Sequence, residues 1–187
     1  MSRDYRQLDA EEIRGLLEEL LARAATEGIK VDAYIIGGAA MAIHLGREQL
    51  TPDVDGLFHP FAEVERIAMA MAKEHGLEPN WINENARPFI TFNPNDSRHF
   101  VEIELGGHPL RIASETALLA MKMARYARKD YADITALIRS LNLTSPEQIV
   151  DLTYAVLGED SMSLPYGRDD LTLLAKAALS RALKSQD

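Results

Sequence analysis

Cysteine is absent from the 187-residue chain, and its absence excludes several kinds of site. A disulfide framework, a zinc site with thiolate ligands and a cysteine nucleophile all require the missing side chain. Because disulfides are typical of secreted proteins, a chain without cysteines is expected in the reducing cytoplasm.

Long hydrophobic runs are missing as well. No apolar stretch approaches the roughly 18 residues that a membrane-spanning helix needs. The segment Met1–Glu12 is polar and acidic, unlike a signal peptide. Hydrophobic residues make up 47% of the chain and charged residues 26%, which is an ordinary globular composition. We expect one domain, or one domain with a short appendage, and no association with membranes.

Positive charge is scarce, since 20 basic residues face 29 acidic ones and the formal net charge is −9. This balance argues against a general nucleic-acid coat protein. Only the segment 114–140 carries more basic than acidic residues, and a contact with RNA phosphates is expected there. The basic residues clustered in this segment are Lys122, Arg125, Arg128 and Lys129.

Apolar spacing, capping residues and turn residues predict an α+β fold. We expect a small mixed β-sheet with flanking helices over residues 1–113, and a helical C-terminal portion over residues 114–187 packed on it. The predicted elements are a helix ending at Gly28, strand Val31–Ile36, helix Ala39–Leu45, strand Val54–Phe58, helix Phe61–His75, strands Phe89–Phe92, Phe100–Leu105 and Leu110–Ala113, and helices beginning at Ser114, Asp130, Ser145 and Asp169.

Asp53 and Asp55 stand two residues apart at the start of the second predicted strand. Alternate side chains of a strand point to one face, and the rise is about 3.3 Å per residue, so these carboxylates can converge on one point. Two like charges held together need a cation. Mg²⁺ is bound by one or two carboxylates and completes its shell with water and phosphate oxygens. A solvated edge is the competing interpretation of Asp-x-Asp alone.

Gly37 and Gly38 lie between the first predicted strand and a short helix. A turn without side chains lets backbone N–H groups approach phosphate oxygens, and the helix N-terminus adds partial positive charge. A glycine pair alone is more often a purely structural turn. The pair and the aspartates together, in a strand–turn–helix–strand order, favour binding of a triphosphate bridged by a metal ion.

This stretch resembles the signature of the DNA-polymerase-β-like nucleotidyltransferase superfamily, in which a glycine pair and a helix precede Asp-x-Asp on the next strand. Residues 31–157 are similar to one branch, the AbiEii-related, toxin-like minimal nucleotidyltransferases of bacteria. The further residues that carry this similarity are Arg47 and Thr51 before the aspartates, Trp81-Ile82-Asn83 after the next helix, and Lys122, Arg125, Lys129, Asp130 and Asp133.

The resemblance implies transfer of a nucleoside monophosphate from an NTP to an acceptor hydroxyl, with Mg²⁺ or Mn²⁺. It implies the toxin of a bacterial toxin–antitoxin pair, an RNA acceptor, in particular tRNA, and an antitoxin protein as partner. The implied metal ligands are Asp53, Asp55 and Glu104. The implied nucleotide-binding residues are Gly37, Gly38, Arg47, Thr51, Lys122 and Arg125. Lys122 is expected to contact phosphate, and Asp130 to act as a base or charge partner with support from Asp133.

Two departures from the superfamily pattern bear on the chemistry. Many members place a serine after the first glycine, whereas Gly38 and Ala39 follow here, so only backbone donors remain. The superfamily commonly adds a third carboxylate on a later strand. Glu102 and Glu104 are the candidates, and Glu104 is preferred. Both residues would equally fit the solvent face of an edge strand.

Two other functions stay open on the sequence alone. The chain would be a non-catalytic nucleotide-binding or antitoxin-like module if it keeps the phosphate cradle but lacks a working third carboxylate. It would modify a protein or a small molecule if the acceptor hydroxyl belongs to one of these rather than to RNA.

Overall fold

The computed structural model describes residues 6–46, 50–165 and 167–184. Arg47 lies outside the described residues. The mixed helices and strands confirm the predicted α+β class. Within the described residues, no helix is both long and apolar enough to cross a bilayer. The elements are α1 (Ala10–Thr26), β1 (Asp32–Ile35), α2 (Gly37–Leu45), β2 (Val54–His59), α3 (Phe61–His75), β3 (Ile82–Asn83), β4 (Phe100–Leu105), β5 (His108–Ala113), α4 (Glu115–Arg125), α5 (Tyr131–Ser140), α6 (Pro146–Leu157) and α7 (Arg168–Lys184).

Internal contacts divide the described residues into two compact units. The first unit combines Met1–Arg87 with Phe100–Ala113, and the second combines Pro88–His99 with Ser114–Asp187. The chain passes from the sheet-bearing unit to the helical unit between Ala113 and Ser114. The segment Pro88–His99, which the sequence analysis assigned to the first part, belongs to the second unit.

The first unit is built on one mixed five-stranded sheet with the order β3-β2-β1-β5-β4. Strand β1 lies at the centre, antiparallel to β2 and parallel to β5. Strands β4 and β5 form an antiparallel hairpin, which turns at Gly106 and Gly107, both with positive φ. The short strand β3 extends the sheet by pairing in parallel with the start of β2.

Helices α1 and α3 pack against each other and against the sheet. Helix α1 begins with the predicted capping box, in which Asp9 and Glu12 each accept from the other's backbone N–H. Trp81 is fully buried, and its indole N–H donates to the Ala68 carbonyl at 2.9 Å. This packing covers one face of the sheet with apolar side chains.

Beyond the short strand β3, a side chain provides the hydrogen-bond acceptor for the edge of β2. Because β3 pairs only with Val54 and Asp55, the Phe58 N–H has no strand partner on that side. Glu84 accepts this N–H at 2.9 Å, and Arg87 holds the same carboxylate through its Nε at 3.0 Å. A salt-bridged carboxylate thus takes the place of a longer edge strand.

The prediction of a strand at Phe89–Phe92 is wrong. Residues Arg87–Phe89 form a short 3₁₀ turn, and the following residues are irregular. Pro88 has no N–H to donate to a ladder. Phe92 is instead buried, with its ring 4.9 Å from that of His99.

The second unit contains the four helices α4 to α7. Helix α4 packs on α5 and α6, and helix α7 packs on the same two helices. Ser114 caps α4 by accepting from the Ala117 N–H. Ser145 and Gln148 form the predicted capping box of α6, with Pro146 in its first turn. The four helix starts predicted from the sequence fall within one residue of the observed ones.

Candidate functional site

The bend after β1 lies directly against the second aspartate. Gly37 opens helix α2 with a φ of +66°, a conformation that favours glycine. A Cβ atom placed on Gly37 would lie 3.3 Å from Asp55 Oδ2. The backbone connects them too, since the Ile36 N–H donates to the Asp55 carbonyl at 2.9 Å. The structure therefore brings the glycine bend against Asp55, the second aspartate of the pair.

Helix α2 presents a bare N-terminus at this bend. The residue in the N-cap position, Ile36, makes no side-chain hydrogen bond to the first turn, and that turn carries no acidic residue. First-turn amides without a cap are left to solvent or to a ligand. Nine residues of helix follow, so the helix dipole adds partial positive charge at Gly37 and Gly38. An anion placed here would also border Asp55, and hence any cation that Asp55 binds.

Asp53 precedes β2 and is held by hydrogen bonds from two neutral side chains. The Thr51 hydroxyl donates to Asp53 Oδ1 at 3.1 Å, and the Asn83 amide donates to Asp53 Oδ2 at 3.1 Å. Both donors are buried, with Thr51 8% and Asn83 6% exposed. Because the Thr51 hydroxyl already donates to Asp53, its predicted contact with nucleotide stays a prediction.

The oxygen donors at this place fit Mg²⁺ or Mn²⁺. Asp53 and Asp55 occupy alternate positions at the start of β2 and are both half-buried. Carboxylate oxygens are the hard ligands that these cations take, and one or two of them suffice when phosphates and water complete the shell. The space that a Gly37 side chain would fill leaves room beside Asp55 Oδ2.

The expectation that Glu104 joins the two aspartates is not met. Strand β4, which carries Glu102 and Glu104, is separated from β2 by β5 and β1. At about 4.8 Å between neighbouring strands, these side chains start about 14 Å from Asp55. Both glutamates are exposed. They form the solvent-facing side of an edge strand, which is the alternative that the sequence left open.

The second predicted signature forms a buried ionic cluster in the helical unit. The Lys122 ammonium donates to Asp130 Oδ1 at 3.0 Å and to Asp133 Oδ2 at 2.7 Å. Arg125 binds both oxygens of Asp130, through Nε at 2.8 Å and Nη2 at 2.6 Å. Lys122, Asp130 and Asp133 are all buried. The cluster joins the end of α4 to the start of α5, and the phosphate contact expected of Lys122 stays a prediction.

The charges in this cluster are matched. Burial raises the pKa of Asp130, but the hydrogen bonds from Arg125 and the charge of Lys122 outweigh it, so this pKa lies below its ordinary value. Asp130 is therefore ionised at neutral pH and acts as a charge partner of Lys122 and Arg125. A strong base would need a higher pKa.

Another acidic group lies on the helical side of the first unit. Among the described residues, one group of three potential metal ligands has its ligand atoms within 4.8 Å of one another. It consists of Glu19, Glu74 and His75. Arg23 already pairs with Glu19 and Glu74. A guanidinium in that position neutralises the carboxylates that a cation would need, so we do not assign this group a metal.

Asn83 belongs to the Trp81-Ile82-Asn83 stretch of the sequence resemblance, which assigned it no role in the site. It reaches Asp53 because β3 pairs in register with β2, Asn83 lying opposite Asp55. Two residues of strand give no periodic signal, so the resemblance was the available sequence signal, and the strand pairing shows that this asparagine lies beside the aspartates.

No family model matches the chain, and no curated protein matches it. Among solved structures, the chain is similar to the crystal structure of an antigenic nucleotidyltransferase-like protein from Paracoccidioides brasiliensis. The TM-score is 0.56 at 18% sequence identity, over 96% of this chain and 95% of the other. The likeness shows that this chain has a nucleotidyltransferase-like fold.

Proposed function

We propose that this protein is a metal-dependent nucleotidyltransferase that moves a nucleoside monophosphate from an NTP to an acceptor hydroxyl. The observation that supports the proposal is the close approach of the Gly37 bend to Asp55, whose Oδ2 would lie 3.3 Å from a Cβ on Gly37. In this proposal the bend serves as the phosphate cradle, and the aspartates beside it are the hard oxygen ligands of the cation. The nucleotidyltransferase-like fold of the chain supports the same reaction class.

In this proposal Asp53 and Asp55 hold the cation, and the first-turn amides at Gly37 and Gly38 bind the triphosphate. A bound Mg²⁺ would neutralise phosphate charge and activate the acceptor oxygen. Thr51 and Asn83 keep the Asp53 carboxylate in place. The acceptor oxygen bonds to the α-phosphorus, the bond from that phosphorus to pyrophosphate breaks, and the acceptor proton passes to water.

We further propose the finer assignment that the sequence resemblance implies. The chain would be an AbiEii-related toxin of a bacterial cytoplasm, with an antitoxin partner and RNA, in particular tRNA, as acceptor. The exposed basic side chains at the junction of α4 and α5, Arg125, Arg128 and Lys129, are where the RNA phosphates would bind.

The test is incubation with each α-³²P-labelled NTP, Mg²⁺ and whole-cell RNA, followed by separation of RNA, protein and small molecules. We expect metal-dependent label in RNA, lost in Asp53→Ala and Asp55→Ala. Glu65→Ala, which removes an exposed carboxylate from α3 in the same unit, is the matched control and should keep the activity. Label in protein or in a small molecule would keep the chemistry and change the acceptor.

A non-catalytic nucleotide-binding module is the second candidate. It is favoured because, among the described residues, neither Asp53 nor Asp55 belongs to a close group of three or more potential metal ligands. Calorimetry separates the two functions. Metal-dependent NTP binding without any transfer, on every acceptor class, would support the module and contradict the enzyme.

A further inference from the structure

We propose that Thr51 and Asn83 are positioning residues that set the affinity of the Asp53–Asp55 pair for a divalent cation, by fixing the Asp53 carboxylate from both of its oxygens. This inference rests on the proposed function, which places the cation at these two aspartates. It concerns how the site is made ready for the cation, and neither residue is assigned as a ligand.

The hydrogen bonds on Asp53 leave room for a cation. An ionised carboxylate has about four lone-pair positions on its two oxygens. The structure uses one position on Oδ1 for the Thr51 hydroxyl and one on Oδ2 for the Asn83 amide. Each oxygen therefore keeps acceptor capacity, while the plane of the carboxylate is fixed at both ends.

The two donors are themselves fixed. Thr51 exchanges backbone hydrogen bonds with Leu8, at 2.8 Å and 3.1 Å, which ties the loop before β2 to the segment before α1. Asn83 Oδ1 accepts the Asn85 N–H at 3.0 Å, so this amide presents its nitrogen to Asp53. Rotation of the Asn83 amide would break its bond from Asn85. The Thr51 hydroxyl is held on a fixed backbone and also lies 3.2 Å from the carbonyl oxygen of Asp53.

The donors are also uncharged, and this distinguishes Asp53 from Asp130. Asp130 binds a lysine and an arginine, which neutralise it inside the protein. Asp53 is held by a hydroxyl and an amide, which orient it without cancelling its charge. A carboxylate that is fixed but keeps its negative charge is suited to bind a cation, and outer-shell partners of this kind commonly change metal affinity about 10- to 100-fold.

The test is Mn²⁺ titration of the full chain, with free Mn²⁺ followed by electron paramagnetic resonance and folding checked by circular dichroism. Thr51→Val keeps the shape but removes the hydroxyl, and Asn83→Ala removes the amide. We expect each to weaken Mn²⁺ binding about 10-fold or more. Thr51→Ser restores the donor and should bind as the wild type does.

Asn85→Ala is the matched control, because Asn85 donates to Asn83 from its backbone N–H, which the substitution keeps. Wild-type affinity in both Thr51→Val and Asn83→Ala, with binding lost in Asp53→Asn, would overturn this inference and leave the proposed function standing. Absence of Mn²⁺ binding by the wild type would overturn the proposed function and this inference with it. If Asn83→Ala does not fold, the comparison of Thr51→Val with Thr51→Ser decides.

Discussion

Glycines with positive φ stand at both ends of helix α2, and they make a matched pair. Gly37 has a φ of +66° and Gly46 a φ of +57°. A Cβ on Gly37 would meet Asp55, whereas one on Gly46 would have nothing within 4 Å. An alanine at either position carries the same backbone strain, about 1–2 kcal/mol. A difference between the two variants therefore isolates the close approach to Asp55.

We expect Gly37→Ala to weaken metal-dependent NTP binding about 10-fold or more relative to Gly46→Ala, since the added methyl narrows the space that phosphate and cation share. Isothermal calorimetry with Mg²⁺ and NTP gives the two affinities. Equal affinities in the two variants would show that the bend has no part in binding.

The middle of strand β2 depends on a residue without a side chain. A Cβ on Gly56 would lie 2.8 Å from the Tyr34 carbonyl oxygen and 2.9 Å from the Phe58 ring. The carbonyl belongs to the neighbouring strand, and a backbone oxygen cannot move away as the end of a flexible side chain can. Glycine at this position keeps β1 and β2 in contact, and β2 carries Asp55.

Gly56→Ala is expected to lower the free energy of unfolding by about 1–3 kcal/mol, the usual cost of overpacking a core. Gly15→Ala serves as control, because Gly15 lies in α1 with nothing within 4 Å of its Cβ position. That substitution should raise stability by about 0.5–1 kcal/mol through helix propensity. Urea unfolding measures both, and a Gly56→Ala protein as stable as the wild type would contradict the packing argument.

The link between α4 and α5 is expected to fail in acid. The lowered pKa of Asp130 means that this carboxylate stabilises the fold at every pH above its unfolded pKa, about 3.9. The stabilisation is lost as the pH falls from there through the folded pKa. We expect the wild type to exceed Asp130→Asn in stability at neutral pH, and this advantage to shrink below about pH 4.

Urea unfolding followed by far-ultraviolet circular dichroism, at steps between about pH 2 and pH 6, tests this dependence. Asp160→Asn removes an exposed carboxylate from the same unit and should show no such change. An advantage that is independent of pH in this range would contradict the role of Asp130 as an ionised partner of Lys122 and Arg125.

Helix and strand positions could largely be predicted because their signals are local. Helix α3 has the predicted bounds, Phe61–His75, since Gly76 ends it in a left-handed conformation. Strand β3 could not be predicted, because its two residues are defined only by pairing with β2. The strand wrongly predicted at Phe89–Phe92 has the same origin. An apolar run forms a strand only where it can pair with the edge of a sheet.

The candidate site was predictable to the extent that it depends on neighbours in sequence. The contact of Gly37 with Asp55 follows from one strand–turn–helix–strand unit. The remoteness of Glu104 follows from strand order, and the burial of Lys122 follows from how α4 meets α5. Both depend on tertiary structure, and no spacing within a segment reveals them.

Over the whole molecule, the acidic balance leaves little surface for RNA. The net charge is −9. Within the basic segment, Lys122 is buried and forms salt bridges with Asp130 and Asp133. Arg125, Arg128 and Lys129 are the exposed basic side chains of that run. Each phosphate contact to a single strand contributes about −0.7 to the slope of log K against log salt, so three contacts give a slope no steeper than about −2.

Filter binding of labelled RNA between low and physiological salt measures this slope. The double variant Arg128→Glu with Lys129→Glu should weaken RNA binding and flatten the slope, whereas Lys176→Glu, an exposed change on α7, should alter neither by as much. A steep slope, or an equal loss in Lys176→Glu, would contradict the assignment of RNA binding to the α4–α5 junction.

The single tryptophan of the chain is hydrogen-bonded to the candidate site through its backbone. The Trp81 carbonyl accepts the N–H of Val54, the residue between the two aspartates, at 2.6 Å. Its indole is enclosed in the same unit. The emission of this fluorophore consequently reports on the surroundings of the candidate site, and quenching by a paramagnetic ion bound at the aspartates would give an optical titration of the unlabelled protein.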